Sequence, residues 1–193
     1  MKEAEKQFEK REAILCAMLE LITERGFHAT PMSLVAERAG VAAGTIYHHF
    51  DSKEAIINEI YAQLRAEMGA ALLRDHDPNA EHRERFARFW NNLFGHFIAQ
   101  PAGFLFLEQY ANSPYIEKHT REEHRRDLQP LLDFLEEGTW SGVLRNVESG
   151  LLLGLVYGSV ACCVKLQLSG ELQMSAGRVQ QAIQASWDSI RMD

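Results

Sequence analysis

A short stretch near the N-terminus carries side chains suited to contacts with a nucleic acid. The segment TPMSLVAERAGVAAGTIYHHF, residues 30–50, ends in small and hydrogen-bonding residues that include Gly44, Thr45, Tyr47 and His48. A glycine lets the backbone approach a partner closely, and a threonine can hydrogen-bond a base edge or touch a thymine methyl group. Tyrosine and histidine can donate hydrogen bonds to phosphate oxygens. Together these residue types predict contacts in a major groove of DNA.

Two residues that flank this group could hold the phosphate backbone. Lys53 is predicted at the start of a helix, where its ammonium and the free backbone N–H groups both favour an anion. Thr30 precedes Pro31, and this pair is typical of a helix start, with threonine as the cap and proline in the first turn. The same helix-terminus chemistry would let Thr30 bind a phosphate.

Three predicted helices would position these residues. Helical apolar spacing covers about residues 5–25, which Gly26 ends, about residues 31–39, which Gly40 ends, and about residues 43–50. Two short helices joined by a glycine-containing turn are typical of a helix-turn-helix. The residues predicted to form its core with the first helix are Val35, Ala39, Val41, Ile46 and Phe50. An alternative interpretation is a generic three-helix cap with a tyrosine and two histidines on its surface.

The segment of residues 13–56 resembles the N-terminal head of the TetR family of bacterial transcriptional regulators. The similarity runs without a gap and includes ERGFHAT, VAERAGV, GTIYHHF and SKEA. It implies a homodimer whose two heads enter successive major grooves about 34–36 Å apart and read a palindromic operator. It also implies a recognition surface formed by Ala42, Ala43, Gly44, Thr45, Tyr47 and His48. By the same resemblance, Thr30 and Lys53 would clamp the DNA backbone.

The chain departs from the family pattern at two of these positions. Family members often have Ser-Lys where this chain has Ala42-Ala43. Ala42 cannot cap the recognition helix, at a cost of about 1 kcal/mol. Ala43 lacks the cation that would face DNA, so we expect lower affinity and readout through apolar contact, for example with a thymine methyl group.

An aromatic stripe in the second part of the chain has two interpretations. Phe86, Phe89, Trp90, Leu93, Phe94 and Phe97 share one face of a predicted helix. They could simply be core, or they could form one wall of an apolar ligand pocket. The predicted lining is Tyr61, Trp90, Phe94, Phe97, Phe104, Tyr110 and Tyr157. Glu108 interrupts the apolar run FLFLEQY. If its carboxylate faced the pocket, it could pair with a cationic aromatic ligand, and if it faced solvent, it would be an ordinary surface charge.

Small residues recur along one of the two long helices that close the chain. Gly150, Gly154, Gly158 and Cys162 are spaced four apart in a helix predicted over about residues 146–168. Each interior glycine costs about 1 kcal/mol against alanine, so close packing on another helix is the expected compensation. That neighbour could belong to the same chain. The resemblance instead implies a four-helix dimer interface with the last helix, which would contribute Val179, Ile183, Trp187 and Ile190.

Composition limits the class of protein. The 193 residues include only 13 glycines and 5 prolines, which favours an all-helical chain. The net charge is −7, with seven Lys and Arg against eight Asp and Glu in residues 1–53 and 13 against 19 in the remainder. This acidity is unusual for a DNA-binding protein, although most of it lies outside the predicted head. The N-terminus does not resemble a signal peptide, and the apolar run 151–164 is short for a bilayer, so we expect a cytoplasmic protein that binds no membrane.

These observations lead to one set of expectations. The fold should be all-α, with a helix-turn-helix DNA-binding domain over residues 1–52 and a helical ligand-binding and dimerisation domain over residues 53–193. The resemblance implies a repressor that a small apolar or aromatic effector, including a cationic one, releases from its operator. An alternative is the same fold controlled by a protein partner. We expect no cofactor, no metal site and no catalytic residues, because the sequence shows no nucleophile–base pair in a suggestive context, no phosphate loop and no metal-ligand cluster. A helical-bundle enzyme is therefore the less favoured alternative.

Overall fold

Ten α-helices make up most of the part of the chain that the structure describes. The computed structural model describes the backbone of residues 2–192 and the side chains of residues 5–122 and 126–192. The helices are α1 (Lys2–Arg25), α2 (Met32–Ala39), α3 (Ala43–His49), α4 (Lys53–Leu72), α5 (His82–Ala99), α6 (Pro101–Tyr110), α7 (Lys118–Glu123), α8 (Gln129–Trp140), α9 (Ser149–Ser169) and α10 (Ala176–Ile190). Among the described residues there is no β-strand, so the all-α prediction is confirmed.

The chain divides into two units that do not follow the predicted boundary after residue 52. The first unit comprises Met1–Arg65 and Ala102–His124, and the second comprises Ala66–Pro101 and Arg125–Asp193. The first unit therefore contains α1 to α3, the first part of α4, and nearly all of α6 together with α7. Contacts between residues distant in the chain, which local patterns do not reveal, define this division.

The first unit has a core built on one face of α1. Ile14, Met18 and Leu21 are fully buried there, as are Val35 of α2 and Ile46 of α3. The three residues of α1 are spaced i, i+4 and i+7, a pattern that places side chains on one side of a helix. The core therefore fixes α2 and α3 against α1, with Val35, Ile46 and Phe50 buried as predicted. Ala39 and Val41, which were also predicted to be core, are only half-buried.

Local signals explain where these helices begin and end. Gly26 and Gly40 take left-handed conformations, with φ of 79° and 66°, immediately after α1 and α2. Glycine adopts this conformation at little cost, which is why it commonly ends helices. At the start of α4, the Ser52 hydroxyl accepts a hydrogen bond of 3.0 Å from the backbone N–H of Ala55. By contrast, Ala42 precedes α3 without a side-chain cap, as its residue type requires.

The second unit packs its aromatic helix α5 against α9 and α10. The stripe on α5 is buried along its whole length, including Phe86, Trp90 and Phe97 at 1% exposure or less. The Trp90 indole N–H donates a 2.9 Å hydrogen bond to the Ser159 hydroxyl of α9. That hydroxyl is in turn 2.8 Å from the hydroxyl of Ser186 on α10. A buried polar link thus fixes the three helices in register, since each polar group has a partner.

Pro130 marks the start of α8. A short 3₁₀ segment, His124–Leu128, precedes α8, and Pro130 lies in the first turn of α8. Proline is compatible with that position because its missing N–H would have no partner in the helix.

Candidate DNA-binding surface

The short helix α3 presents one face to the core and the other to solvent. Ile46 is fully buried, whereas the side chain of Tyr47 is 58% exposed. Ala42, Ala43, Gly44 and His48 are also exposed, and Thr45 is half-buried. An added Cβ at Gly44 would meet no atom within 4 Å, so its neighbourhood is open to an incoming partner. The outward orientation of this face agrees with the sequence pattern, while its contact with DNA stays a prediction.

The ends of α3 are held firmly by the rest of the first unit. The backbone N–H of Val41 donates 3.0 Å to the carbonyl of Ala36, which fixes the turn that leads into α3. At the other end, Phe50 is 6% exposed and the Arg11 guanidinium lies 5.0 Å above its ring. Arg11 also forms a 2.9 Å salt bridge with Glu59 of α4. The exposed face is thus carried on a helix anchored from both sides.

The structure corrects the expected role of Thr30. Its side chain is fully buried, and its hydroxyl donates to the carbonyl oxygens of Gly26, at 2.9 Å, and Leu21, at 3.2 Å. No side-chain cap starts α2, since the residue before it is Pro31. A hydroxyl turned inward to the end of α1 cannot reach a phosphate, so Thr30 ties α1 to the following turn instead.

Lys53 makes contacts within its own unit. It begins α4 as predicted, but its ammonium donates a hydrogen bond to the Phe27 carbonyl and lies 4.0 Å from the centre of the Phe27 ring. Partial burial lowers the pKa of this lysine. The ammonium is thus engaged by the α1–α2 turn, through a carbonyl and a cation–π contact, and its contact with a phosphate stays a prediction.

An aromatic stack in the first unit was not predicted from the sequence. The rings of Phe27 and Tyr115 are parallel to within 14°, with centroids 3.8 Å apart. The Tyr115 hydroxyl is 2.9 Å from Nε2 of His28. The amide of Asn58 on α4 donates to the Tyr115 carbonyl and accepts from the N–H of Glu117, both at 2.9 Å. These contacts fasten the segment after α6 to the α1–α2 turn and to α4. No sequence signal could reveal them, because the partners are separated by 57 residues or more.

The predicted ligand-lining residues are divided between the two units. In the first unit Tyr61, Phe104 and Tyr110 are buried and Glu108 is half-buried. Burial raises the pKa of the Tyr110 hydroxyl. In the second unit Trp90 stacks on Phe94 at 5.4 Å, and Phe97 meets Tyr157 edge-on at 6.1 Å. These residues have the aromatic character expected of a pocket wall, and their role as one stays a prediction.

Helix α9 is apolar on two opposite faces. Leu152, Val156, Val160 and Val164 are buried at 2% exposure or less, and they recur every four residues. On the opposite side the predicted small-residue stripe, Gly150, Gly154, Gly158 and Cys162, is exposed. Leu151 and Leu155 beside it are 57% and 46% exposed. One face of α9 is thus covered by its own chain, and the other presents apolar surface.

The same helix is longer than the apolar run suggested. The helix has 21 residues, and its most apolar window of 18 residues has a mean hydropathy of 1.8, so by length and composition alone it is long and apolar enough to cross a membrane. Only 28% of that window is buried within the chain. Helices in cores and in subunit interfaces share this composition, so it is weak evidence for a membrane span.

The apolar residues of α10 do not face outward as expected. Val179, Ile183 and Trp187 are between 6% and 8% exposed, and Ile190 is fully buried. The ring of Trp187 lies 5.2 Å from that of Phe86 on α5. These residues pack within their own chain, which corrects their assignment to a subunit interface. Any contribution of α10 to an interface would come from its other, exposed face.

Comparison with known proteins agrees with this geometry. Residues 14–60 match the family model of bacterial regulatory proteins of the tetR family, and residues 61–192 match the tetracyclin repressor-like C-terminal domain. The chain therefore belongs to the TetR family of transcriptional regulators. The resemblance noted in residues 13–56 is confirmed and extends to the C-terminal body.

Three comparisons illustrate the extent of the similarity. The HTH-type transcriptional regulator UidR of Escherichia coli K12 is 40% identical over 68 residues, which cover 35% of this chain and 33% of that protein. The chain thus matches only about a third of the length of UidR. The regulator YdeS of Bacillus subtilis is 30% identical over 153 residues, covering 77% and 74% of the two chains. A TetR-family transcription regulator from Marinobacter aquaeolei VT8 shares the fold over 100% of both chains, with a TM-score of 0.90 and 22% identity.

Proposed function

We propose that this protein is a cytoplasmic, homodimeric repressor that binds a palindromic DNA operator through the exposed face of α3. The observation that carries the proposal is the division of α3 into a buried anchor, Ile46, and an exposed face with Tyr47 and His48 at its centre. A helix of this length places its N-terminal residues against base edges in a major groove. Residues 1–52 would serve as the DNA-binding head and residues 53–193 as the sensing and dimerising body.

Selection of bound sequences from random duplex DNA tests this proposal, followed by mobility-shift titration of the selected duplex. We expect Tyr47→Ala and His48→Ala to weaken binding by about tenfold or more each, in line with about 1.5–3 kcal/mol for a hydrogen bond to a charged group such as a phosphate. His119→Ala is the matched control, since His119 is an exposed histidine on α7. Failure of the wild-type protein to retain any duplex at low salt would contradict the proposal.

The exposed apolar face of α9 supports a homodimer. Contiguous apolar surface of this kind marks protein interfaces, because leaving it in water is unfavourable. Gly150, Gly154 and Gly158 would let a second helix approach closely, with Cys162 continuing the stripe. A two-fold arrangement uses the same face on both subunits, so a single self-complementary surface is sufficient.

A small apolar or aromatic effector, including a cationic one, would control DNA binding. The support is the set of buried aromatic side chains in each unit, together with the half-buried carboxylate of Glu108. Such an effector would favour a state of the dimer whose head spacing no longer matches the operator.

Calorimetric titration with tetraphenylphosphonium, a lipophilic cation, tests this part. We expect Glu108→Gln to bind it more weakly than the wild type, because the substitution removes the negative charge and keeps the shape. Equal affinities would remove the cationic effector. A protein that binds neither this cation nor neutral aromatic probes would favour control by a protein partner.

A further inference from the structure

Trp140, the last residue of α8, lies outside the core of the second unit. Its side chain is 90% exposed, more than any other large apolar side chain that the structure describes. A tryptophan side chain removes about 150–250 Å² from water when it is covered, so leaving it exposed is unfavourable. The exposure therefore indicates a partner that the same chain does not supply.

Contacts at the end of α8 place Trp140 beside the start of α9. The Ser149 hydroxyl, on the first residue of α9, donates a 3.4 Å hydrogen bond to the Glu136 carboxylate. Trp140 lies one turn after Glu136 on the same side of α8. Gly150 and Leu151, which follow Ser149, are exposed. Trp140 thus continues the exposed apolar face of α9 that we propose as the dimer interface, which favours a second copy of this chain as its partner.

A groove between α5 and α10 in the second unit has a volume of about 290 Å³. Its floor is apolar, because it is lined by the nearly buried side chains of Phe86, Ile183 and Trp187. The Arg83 guanidinium donates a hydrogen bond to the Gln184 side chain and so joins the two helices that form the groove. The other residues around the groove are Glu81, Glu84, Ala87 and Gln180.

This groove and Trp140 lie at the same end of the second unit. The Arg85 guanidinium is 2.9 Å from the Glu137 carboxylate, which joins the start of α5 to the end of α8. The backbone N–H of Arg145, in the connection between α8 and α9, donates 2.8 Å to the carbonyl of Ile190 at the end of α10. A two-fold rotation can therefore bring the tryptophan of each subunit to the groove of the other and form both contacts at once.

We propose that Trp140 of each subunit inserts its indole ring into the α5–α10 groove of the partner subunit and anchors the dimer at the edge of the α9 interface. This inference rests on the proposed homodimer and adds to it. Pockets for small molecules have volumes of about 300–1,000 Å³, so a groove at the lower limit suits one aromatic side chain. The apolar floor covers the ring, Arg83 can stack on its face, and the Glu81 carboxylate can accept a hydrogen bond from the indole N–H.

Sedimentation of the full chain over a range of concentrations tests the anchor. Trp140→Ala should weaken the dimer by about 30-fold for each tryptophan, which corresponds to the 2 kcal/mol that defines a hot spot. Because the dimer contains two such contacts, its dissociation constant should rise on the order of 1,000-fold. Phe8→Ala removes an aromatic ring that is 63% exposed in the first unit, and as the matched control it should keep the wild-type constant.

A second variant tests the groove itself. Ala87 lines the groove and is half-buried, so Ala87→Trp should fill the groove from within its own chain and weaken the dimer as well. If both substitutions remove one contact, the double variant Trp140→Ala, Ala87→Trp should be no weaker than the weaker single variant, because the same contact cannot be lost twice. Circular dichroism checks that each variant folds.

Photo-crosslinking locates the ring directly. Trp140 is replaced by the photoreactive analogue p-benzoylphenylalanine, and isotopically labelled and unlabelled chains are mixed before irradiation. We expect crosslinks between labelled and unlabelled chains that join position 140 of one subunit to groove residues of the other, such as Gln180 and Gln184.

Three results would overturn the anchor while leaving the α9 interface in place. They are an unchanged dissociation constant for Trp140→Ala, additive losses in the double variant, and crosslinks that fall within one chain or on another surface of the partner. If the wild-type protein is monomeric at every concentration, both the proposed homodimer and this inference fail.

Discussion

Replacing Thr30 with valine distinguishes a structural hydroxyl from a phosphate contact. Valine keeps the branched shape of threonine in a fully buried position and removes the hydroxyl that donates to the carbonyl oxygens of Gly26 and Leu21. A buried hydrogen bond contributes about 0.5–1.5 kcal/mol, and a carbonyl left without its partner costs about 1–3 kcal/mol. Because the bond to Leu21 is buried and the bond to Gly26 is only partly buried, we expect a loss of about 1–2 kcal/mol in the free energy of unfolding.

Thermal unfolding and DNA titration together measure the two roles. For a chain of this length, 1 kcal/mol shifts Tm by about 2–4 °C, so Tm should fall by roughly 2–8 °C at matched protein concentration. The salt slope of DNA binding, measured well below Tm, should be unchanged. Thr30→Ser keeps the hydroxyl and serves as the control, with a smaller loss from the missing methyl group. An unchanged Tm combined with a lower salt slope would refute the structural role and restore Thr30 as a phosphate contact.

Three other perturbations give equally specific results. Ala43→Lys should tighten binding to all duplexes and steepen the salt slope by about 0.9 per subunit, since it adds a cation to the exposed face of α3; an unchanged slope in a mobility-shift titration would count against that location. Gly154→Leu should shift the protein toward monomer in sedimentation experiments, because an added Cβ there meets no atom of its own chain within 4 Å and would project into the partner. Gly95→Leu, on the exposed surface of α5, is the control. A Gly154→Leu protein that remains dimeric would contradict the interface. Tyr115→Ala should destabilise the segment after α6 by about 1–2 kcal/mol, which would be measured as faster hydrogen exchange over residues 111–117. Tyr115→Phe keeps the stack on Phe27 and should lose less stability. Equal exchange rates in wild type and Tyr115→Ala would show that the stack does not hold the segment.

The acidity of this chain and its membership of a DNA-binding family are compatible once charge is considered by location. The pairing of Arg38 and Arg11 with nearby carboxylates shows that cations near α3 contribute to the fold of the first unit. Net charge alone is therefore a poor guide to phosphate binding, because screening confines electrostatic interactions to about 10 Å at ordinary salt.

Much of the fold was predictable because it depends on local periodicity. The 3.6-residue repeat decides which side of a helix faces the core, so Ile46 inside and Tyr47 outside follow from the residues around them. The glycines after α1 and α2 mark the ends of those helices for a similarly local reason, since few other residues adopt a left-handed conformation.

Residue type and periodicity are enough to predict the helices, the helix-turn-helix and the outward face of α3. The contacts of Thr30, Lys53 and Trp187 could not be predicted in this way, because their partners are distant in the chain. Thr30 bonds a carbonyl nine residues away, Lys53 bonds one 26 residues away, and Trp187 packs on α5. A polar side chain at a helix start can turn to solvent or to a carbonyl, and an apolar face can be covered by its own chain or by a second one. Sequence patterns show that such a group needs a partner, but the folded chain determines which partner it meets.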